Sequence, residues 1–127
     1  MQKIECRNRA GKYSAGKKVT SIEFVGANTS SKVSDCVMVT TNDSRIRFMS
    51  LKNGKVLLKI KGHKNDTFMT RASLDHNFAH AICASEDGSV YMWDNIHETI
   101  LKASKRGLID KIFKTNKMKE YEYFSMN

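Results

Sequence analysis

The chain has 127 residues, of which 40% are hydrophobic, and a formal net charge of +9, so it can form about one domain with a hydrophobic core. No window holds the roughly 18 consecutive apolar residues of a membrane-spanning helix, and the first residues lack the apolar centre of a secretory signal. The 3 cysteines are odd in number and far apart, which argues against a disulfide framework. These features exclude a membrane-spanning or disulfide-stabilised chain and predict a cytoplasmic protein.

The positive charge is concentrated near the two ends of the chain. Residues 1–18 contain six basic residues and one acidic residue, and residues 102–119 contain seven basic residues and one acidic residue. Residues 19–101 contain nine of each sign and are neutral. A nucleic-acid-binding role needs basic groups that face the phosphates, so it would depend on the two flanks.

The first half of the chain predicts an antiparallel meander of four strands. Short apolar or alternating runs are separated by polar stretches and by turn residues such as Asn53-Gly54, which is typical of strands joined by hairpins. Proline is absent, so no strand lacks a backbone donor. The strands are expected near Val19–Val25, Asp35–Thr41, Arg45–Ser50 and Val56–Lys61.

The second half repeats this organisation with a spacing of 44 residues, which places Asp43 on Asp87 and Phe48 on Met92. Repeats of about 40–45 residues are typical of four-stranded propeller blades. The pair Asp87-Gly88 suits a two-residue hairpin turn, because both central positions of such a turn need positive φ. The second set of strands is expected near Thr70–Leu74, Ala79–Ser85, Val90–Asp94 and Thr99–Lys102.

The second copy carries residues that resemble a known repeat. Gly62-His63, followed 31 residues later by Trp93-Asp94 with Ser85-Glu86-Asp87-Gly88 between them, resembles one WD-repeat unit of a β-propeller. The strings Lys17-Lys18-Val19-Thr20-Ser21-Ile22 and Thr41-Asn42-Asp43-Ser44-Arg45-Ile46-Arg47 resemble the Rab-GTPase-binding WD-repeat proteins. The likeness covers residues 17–102, with a fainter match at 121–124.

The resemblance implies an all-β chain whose antiparallel four-stranded meanders are blades of a WD-repeat β-propeller. A propeller closes with about four to eight blades, whereas this chain supplies two, so its ring is incomplete and needs further blades. The expected divisions are 1–18 as the end of a preceding blade or a basic linker, 19–61 as blade 1, 62–102 as blade 2, and 103–127 as a basic insertion leading to a next blade.

The resemblance also implies a buried hydrogen-bond chain in the second copy, made by a histidine, a serine, an aspartate and a tryptophan. The corresponding residues are His63, Ser85, Asp87 and Trp93. The first copy keeps Asp43 but has Met49-Ser50 in place of Trp-Asp and no Gly-His pair, so it is expected to be held by packing. We therefore expect Asp87→Ala to destabilise the protein more than Asp43→Ala.

Two pairs of residues that contain histidine could have a chemical role, one in catalysis and one in metal binding. His63 near Asp87 could act as a general base, but no nucleophile pattern accompanies the two residues. His76 and His80 have the spacing of two zinc ligands on a helix, yet they fall where a turn enters a strand, and no third ligand is near in sequence. The sequence therefore predicts no catalytic residue, no metal site and no cofactor.

Two sets of basic residues are candidate partner contacts. Arg45 and Arg47 share one face of a predicted strand, where they could bind an acidic partner or phosphates, or form salt bridges at the blade edge. Lys111, Lys114 and Lys117 lie in the basic insertion, whose apolar residues recur at roughly helical spacing. The insertion is either a solvated loop or an amphipathic helix that lies on an acidic membrane or partner.

These observations predict a non-enzymatic scaffold whose partners are other proteins. The resemblance implies an effector or scaffold for a Rab-type small GTPase in membrane traffic, with the GTPase bound through parts of a longer protein outside this chain. Such a protein would be cytoplasmic and attached peripherally to endomembranes. The alternative is a nucleic-acid-binding protein that uses the basic flanks. It is less favoured because the central segment is neutral and Phe113 is the only aromatic residue of residues 102–119.

Overall fold

The computed structural model describes residues 1–7, 15–25, 35–106 and 123–126. Its elements, in chain order, are β1 (Val19–Val25), β2 (Cys36–Thr41), β3 (Arg45–Ser50), β4 (Val56–Ile60), β5 (Ala72–Leu74), β6 (Ala81–Ala84), β7 (Val90–Trp93), α1 (Ile96–Arg106) and β8 (Tyr123–Met126). Sheet 1 has the order β1-β2-β3-β4 and sheet 2 has the order β5-β6-β7-β8, with every neighbouring pair antiparallel. The predicted all-β architecture of four-stranded meanders is therefore confirmed.

Sheet 1 follows the prediction closely, because its turns contain residues that accept the left-handed conformation. Ser44 in the β2–β3 turn has a φ of 59°, and Gly54 in the β3–β4 turn has a φ of 68°, as tight turns require. Between the turns, Ile22 of β1 pairs with Val39 of β2. The four strands predicted for this half of the chain all form.

Sheet 2 has shorter strands than sheet 1. Ile82 in β6 pairs with Ser73 of β5 on one side and with Met92 of β7 on the other. The β6–β7 turn contains Gly88, whose φ of 84° is the positive value expected for the Asp-Gly pair. The first three predicted strands of this half form near their expected positions.

The strand predicted near Thr99–Lys102 is wrong, because these residues lie inside α1. Ile96, Ile100 and Leu101 all pack on one core cluster. Ile96 and Ile100 are four residues apart and fully buried, so they lie on one face of the helix, and the partly buried Leu101 packs beside them. The fourth strand of sheet 2 is instead β8, which pairs with β7. Residues 123–126 thus belong to sheet 2, although the sequence analysis assigned 103–127 to a segment that leads to a next blade.

The main hydrophobic core lies between the two sheets, and α1 packs against it. Its largest fully buried apolar side chains include Phe48 of sheet 1 and Trp93 of sheet 2, each 0% exposed. The buried members are Val25, Cys36, Met38, Ile46, Phe48, Leu58, Ile60, Ala72, Ala81, Cys83, Tyr91, Trp93, Ile96 and Ile100. This shared core joins the two sheets into one packed unit.

The outer faces of the two sheets differ. A second buried cluster covers sheet 1, where Cys6 of the N-terminal segment packs with Val37, Val39 and Met49. Every residue of β2 is therefore buried, whereas burial alternates along β6, where Ile82 is exposed. Residues 1–7 form no strand, and their Cys6 covers the outer face of sheet 1. The division of residues 1–18 as the end of a preceding blade or a basic linker stays a prediction.

The described residues contain one helix, α1, of 11 residues. No helix within the described ranges is long and apolar enough to cross a membrane. Because the apolar residues Ile96 and Ile100 of α1 are fully buried in the core, α1 does not present them to a membrane surface.

Candidate functional site

Three connecting segments meet at one end of the two sheets: the β2–β3 turn, the β6–β7 turn and the loop that joins β4 to β5. Residues 62–69 of that loop, here called the bridging loop, contact both turns. Toward sheet 1, the backbone N–H of Ser44 donates to the carbonyl of Asn65 at 3.2 Å, and the N–H of Asn65 donates to Ser44 Oγ at 2.9 Å. The fully buried side chain of Asn65 also donates to the carbonyl of Thr41 at 3.2 Å. These bonds hold the bridging loop on sheet 1.

Glu86 holds the bridging loop on sheet 2. Its Oε1 atom accepts three backbone N–H groups, from Asp66 at 2.9 Å, from Thr67 at 2.8 Å and from Phe68 at 2.8 Å. The N–H groups, that of Phe68 first, hold the pKa of Glu86 below its ordinary value, since they stabilise the charged form. The N–H of Glu86 in turn donates to the carbonyl of Lys64 at 2.9 Å. The bridging loop therefore connects the two sheets through its backbone.

The bridging loop exposes two large apolar side chains. Phe68 is 70% exposed and Met69 is 71% exposed, although the backbone N–H of Phe68 is fixed by Glu86. Most exposed apolar residues need no explanation when they stand singly. Two of them side by side on a hydrogen-bonded backbone form a candidate contact surface for another molecule.

The residues predicted to form a hydrogen-bond chain lie close together as two pairs. His63, 2% exposed, packs its ring edge against Trp93 with the ring centroids 5.5 Å apart and an interplanar angle of 79°. Ser85 donates to Asp87, and that bond lowers the pKa of Asp87 after the larger effect of Tyr91. Among the described residues, both ring nitrogens of His63 and the indole nitrogen of Trp93 have no hydrogen-bond partner. The structure thus shows both pairs but no bond that joins one pair to the other.

Tyr91 is a member of this site that the sequence analysis missed. Its hydroxyl donates to Asp87 Oδ2 at 2.6 Å, and the backbone N–H of Ser89 donates to Asp87 Oδ1 at 3.0 Å. The Tyr91 ring stacks on Trp93 with the centroids 6.1 Å apart. The available signal was its position four residues after Asp87, because a turn aspartate and a residue on the following strand can meet across a hairpin.

The comparisons with known proteins agree with this architecture. The chain is 35% identical over 96 residues to the WD repeat-containing protein 44 of Xenopus laevis. The matched segment covers 75% of this chain and 10% of that protein. It is 32% identical over 73 residues to the human WD repeat domain-containing protein 83, covering 58% of this chain and 23% of that protein. A WD repeat-containing protein of Schizosaccharomyces pombe is 32% identical over 69 residues, or 54% of this chain. No family model matches the chain.

These relatives share WD repeats, and sheets 1 and 2 have the four-stranded meander of such repeats. The two sheets are blades of a WD-repeat β-propeller. The chain spans about a tenth of the first of these relatives and about a quarter of the second, so it supplies only part of a WD-repeat ring. WD-repeat relatives support a protein-interaction scaffold in general and give no support to nucleic-acid binding.

In the first WD-repeat blade, sheet 1, the turn aspartate pairs with a buried arginine. Arg47 is 0% exposed, and its Nη2 atom lies 2.6 Å from Asp43 Oδ2. Thr41 donates its hydroxyl to Asp43 Oδ1 at 2.6 Å and accepts a hydrogen bond from Arg47. Burial alone raises the pKa of Asp43, but the hydrogen bonds from Arg47 and Thr41 outweigh it and keep that pKa below its ordinary value.

The other predicted contact residues have different surroundings. Arg45 is half-buried, and its Nη1 atom donates to the carbonyls of Asp43 at 3.4 Å and Ser44 at 3.0 Å. Both arginines therefore serve the WD-repeat turn, and the buried Arg47 is inaccessible to a partner. Lys111, Lys114 and Lys117 lie outside the described residues.

The two histidines with the spacing of zinc ligands do not act together. His80 Nδ1 lies 2.9 Å from Asp75 Oδ2 and its Nε2 lies 3.5 Å from Asp94 Oδ1, while His76 is exposed. The hydrogen bond with Asp75 raises the pKa of His80. Within the described ranges, no cluster of three or more His, Cys, Asp or Glu residues has the arrangement of a metal site. The contacts of His80 connect the β5–β6 turn of the second blade to the end of β7.

Proposed function

We propose that this chain is part of a non-enzymatic WD-repeat scaffold that binds other proteins. The observation that carries this proposal is the bridging loop, which is fixed to both blades and exposes Phe68 and Met69 to solvent. Blades that are rigid inside and carry contact groups on their connecting loops suit a scaffold, because loops on a rigid framework are where binding residues concentrate.

The surroundings of the titratable groups support the same proposal. Burial lowers the pKa of His63, and Arg45 lowers it further, so the imidazole is neutral near pH 7 and lies against an aromatic ring. Asp43 is neutralised by Arg47 inside its blade. A general base must lie within hydrogen-bonding reach of the substrate proton that it abstracts, whereas His63 is buried against Trp93 and Asp43 is paired with Arg47.

We further propose that the full-length protein is an effector of a Rab-type small GTPase in membrane traffic, and that it is cytoplasmic and associates peripherally with endomembranes. The support is the resemblance of residues 17–22 and 41–47 to Rab-GTPase-binding WD-repeat proteins. The GTPase would bind outside the two blades, and the blades would recruit other proteins.

The test is made in cells with the full-length protein that contains this chain, fused to a proximity-labelling biotin ligase. A matched form lacks residues 19–106, which comprise the first blade and most of the second. We expect a set of labelled proteins that depends on these residues, and we expect the GTP-locked GTPase to co-precipitate with both forms more strongly than the GDP-locked one. A labelled set that is identical in both forms would refute the scaffold role. Equal recovery of the two nucleotide states would refute the effector role.

A further inference from the structure

We propose that the bridging loop is a docking site for a segment of a partner protein in which a bulky apolar residue is flanked by lysine or arginine. Phe68 and Met69 are the apolar anchors, and Glu86 is the residue that positions them. The proposal rests on the scaffold function given above, and it adds the surface and the chemistry of the partner.

The two anchors are largely exposed to solvent. Phe68 and Met69 are about 70% exposed, whereas Phe48 is fully buried and Phe78 packs on the core. Aromatic and methionine side chains are enriched at the centres of protein interfaces. Methionine is flexible and polarisable, so Met69 can adapt to different apolar surfaces beside a fixed phenylalanine.

The backbone below the anchors is already ordered by hydrogen bonds. Three consecutive N–H groups are bound by one carboxylate oxygen of Glu86, and the buried side chain of Asn65 is bound to sheet 1. Ser44 Oγ donates a further bond to Asp66 Oδ1 at 3.2 Å. A loop that is fixed before binding loses less conformational entropy when a partner arrives, which strengthens binding.

The charge around the anchors differs from that of the chain as a whole. The segments 64–69 and 85–89, which the Glu86 contacts join, contain the acidic residues Asp66, Glu86 and Asp87 and the single basic residue Lys64. The hydrogen bonds to Glu86 and Asp87 hold the pKa of both carboxyl groups below their ordinary values, so both are ionised near pH 7. The chain as a whole has a net charge of +9. With the exposed Arg71, two residues after Met69, the site holds three acidic and two basic groups. This excess of acidic groups on a basic protein favours a basic partner segment at this place over the rest of the surface.

The test is a selection from a phage-displayed library of random 12-residue peptides on the full-length protein that contains this chain. The double variant Phe68→Ser/Met69→Ser removes the anchors, and Phe24→Ser is the matched control. Phe24 is 66% exposed on β1, so both variants remove similar solvent-facing apolar groups, and circular dichroism verifies that each has the spectrum of the parent chain.

We expect the enriched peptides to contain lysine or arginine next to a bulky apolar residue. Their affinity should fall about tenfold or more in the double variant, as for truncation of interface anchors, and should not change in Phe24→Ser. Acidic peptides, or peptides that bind the double variant as well as the parent chain, would overturn the docking site while leaving the scaffold role intact. The absence of any enrichment would also overturn it, and the labelling experiment above tests the scaffold role separately.

The positioning role of Glu86 has its own readout. In Glu86→Ala, hydrogen exchange at the amides of Asp66, Thr67 and Phe68 should become faster, and affinity for the enriched peptides should fall, with both anchors still present. Glu86→Gln keeps an oxygen acceptor, so it should restore part of the protection from hydrogen exchange and part of the peptide affinity. Unchanged exchange together with lost binding would refute positioning, because Glu86 would then contact the peptide directly.

Discussion

The two blades stabilise the same hairpin turn in different ways. In sheet 1, the turn aspartate Asp43 forms an ion pair with Arg47, which is 0% exposed. In sheet 2, Asp87 is exposed and accepts the hydroxyl of Tyr91. Both partners lie four residues after the aspartate, so the geometry of the turn is the same and only the chemistry differs. In both turns of this chain, a donor at the same place on the third strand binds the turn aspartate, and it is a guanidinium in one sheet and a phenol in the other.

The comparison reverses one expectation from the sequence. Because sheet 2 carries the histidine and tryptophan of the WD repeat, Asp87 was expected to contribute more to stability than Asp43. The structure gives Asp43 the more buried partner, and a buried charge that loses its partner is more costly than an exposed one. The order of the two aspartate-to-alanine variants is therefore expected to be the opposite, with Asp43→Ala the more destabilising.

The largest expected effect is in sheet 1. Arg47→Ala leaves the carboxylate of Asp43, whose side chain is 7% exposed, without its charge partner, and it should lower the free energy of unfolding by about 3–5 kcal/mol. Urea denaturation measures the change. Arg45→Ala is the control and should cost less, because the hydrogen bonds of the half-buried Arg45 go to backbone carbonyls of its own turn. Equal losses in the two variants would contradict the ion-pair interpretation.

The corresponding change in sheet 2 should have a smaller effect. Tyr91→Phe removes the hydroxyl that binds Asp87 but keeps the ring that stacks on Trp93, so we expect a loss of about 1 kcal/mol in unfolding free energy. Asp87 can then be solvated, since it is exposed. A loss as large as that of Arg47→Ala would show that the two turns are equally dependent on their donors.

The pH dependence should also separate the two sheets. The pKa of Asp43 is lowered from 3.8, so its contribution is present above that value and is lost as pH falls through the lower folded-state pKa. The pKa of His80 is raised from 6.5, so its contribution is complete below pH 6.5 and is lost as pH rises through the higher folded-state pKa. Thermal midpoints of the parent chain should decline slightly between pH 6.5 and pH 9.0, the ordinary thiol pKa above which the buried cysteines add their own loss of stability. His80→Gln should remove the decline in this interval, and a slope there that His80→Gln leaves in place would contradict the assignment.

The smallest expected effect concerns the basic flank. Charge reversal at Lys111, Lys114 and Lys117 together should leave the thermal midpoint within the error of measurement if the flank is a solvated insertion. Binding of mixed DNA and RNA oligomers, measured by fluorescence anisotropy, should have a dissociation constant in the ~10⁻⁴–10⁻⁶ M range of non-specific contacts at physiological salt. Sequence-selective binding below micromolar that is lost in the triple variant would favour the nucleic-acid alternative over the scaffold.

The fold was largely predictable because its information is local. Alternating apolar residues and the turn residues Asn53-Gly54 and Asp87-Gly88 set the strand positions in both sheets. The error at Thr99–Lys102 came from carrying the 44-residue repeat past the point where it ends. Ile96 and Ile100 are four residues apart, a spacing that puts them on one face of a helix and also on one face of a strand, so the local pattern alone does not decide between the two.

The candidate site was less predictable than the strands. His63 and Trp93 could be chosen from the resemblance, but the exposure of Phe68 and Met69 depends on how the bridging loop crosses between two sheets. The role of Glu86 depends on three backbone N–H groups whose sequence positions are 18 to 20 residues away. Backbone donors carry no sequence signature, so side-chain patterns alone cannot reveal such a contact.

The sequence by itself determined the meander, its turn positions and its likeness to WD repeats, because strand alternation and positive-φ turns are properties of neighbouring residues. Only the tertiary structure decided that Arg47 is buried as a structural cation and that residues 1–7 cover the outer face of sheet 1. It also decided that the fourth strand of sheet 2 comes from residues 123–126. The physical reason is that burial and pairing between distant segments depend on which surfaces come into contact. A periodic pattern of apolar residues shows which face of a strand is buried, but it does not show which segment covers that face.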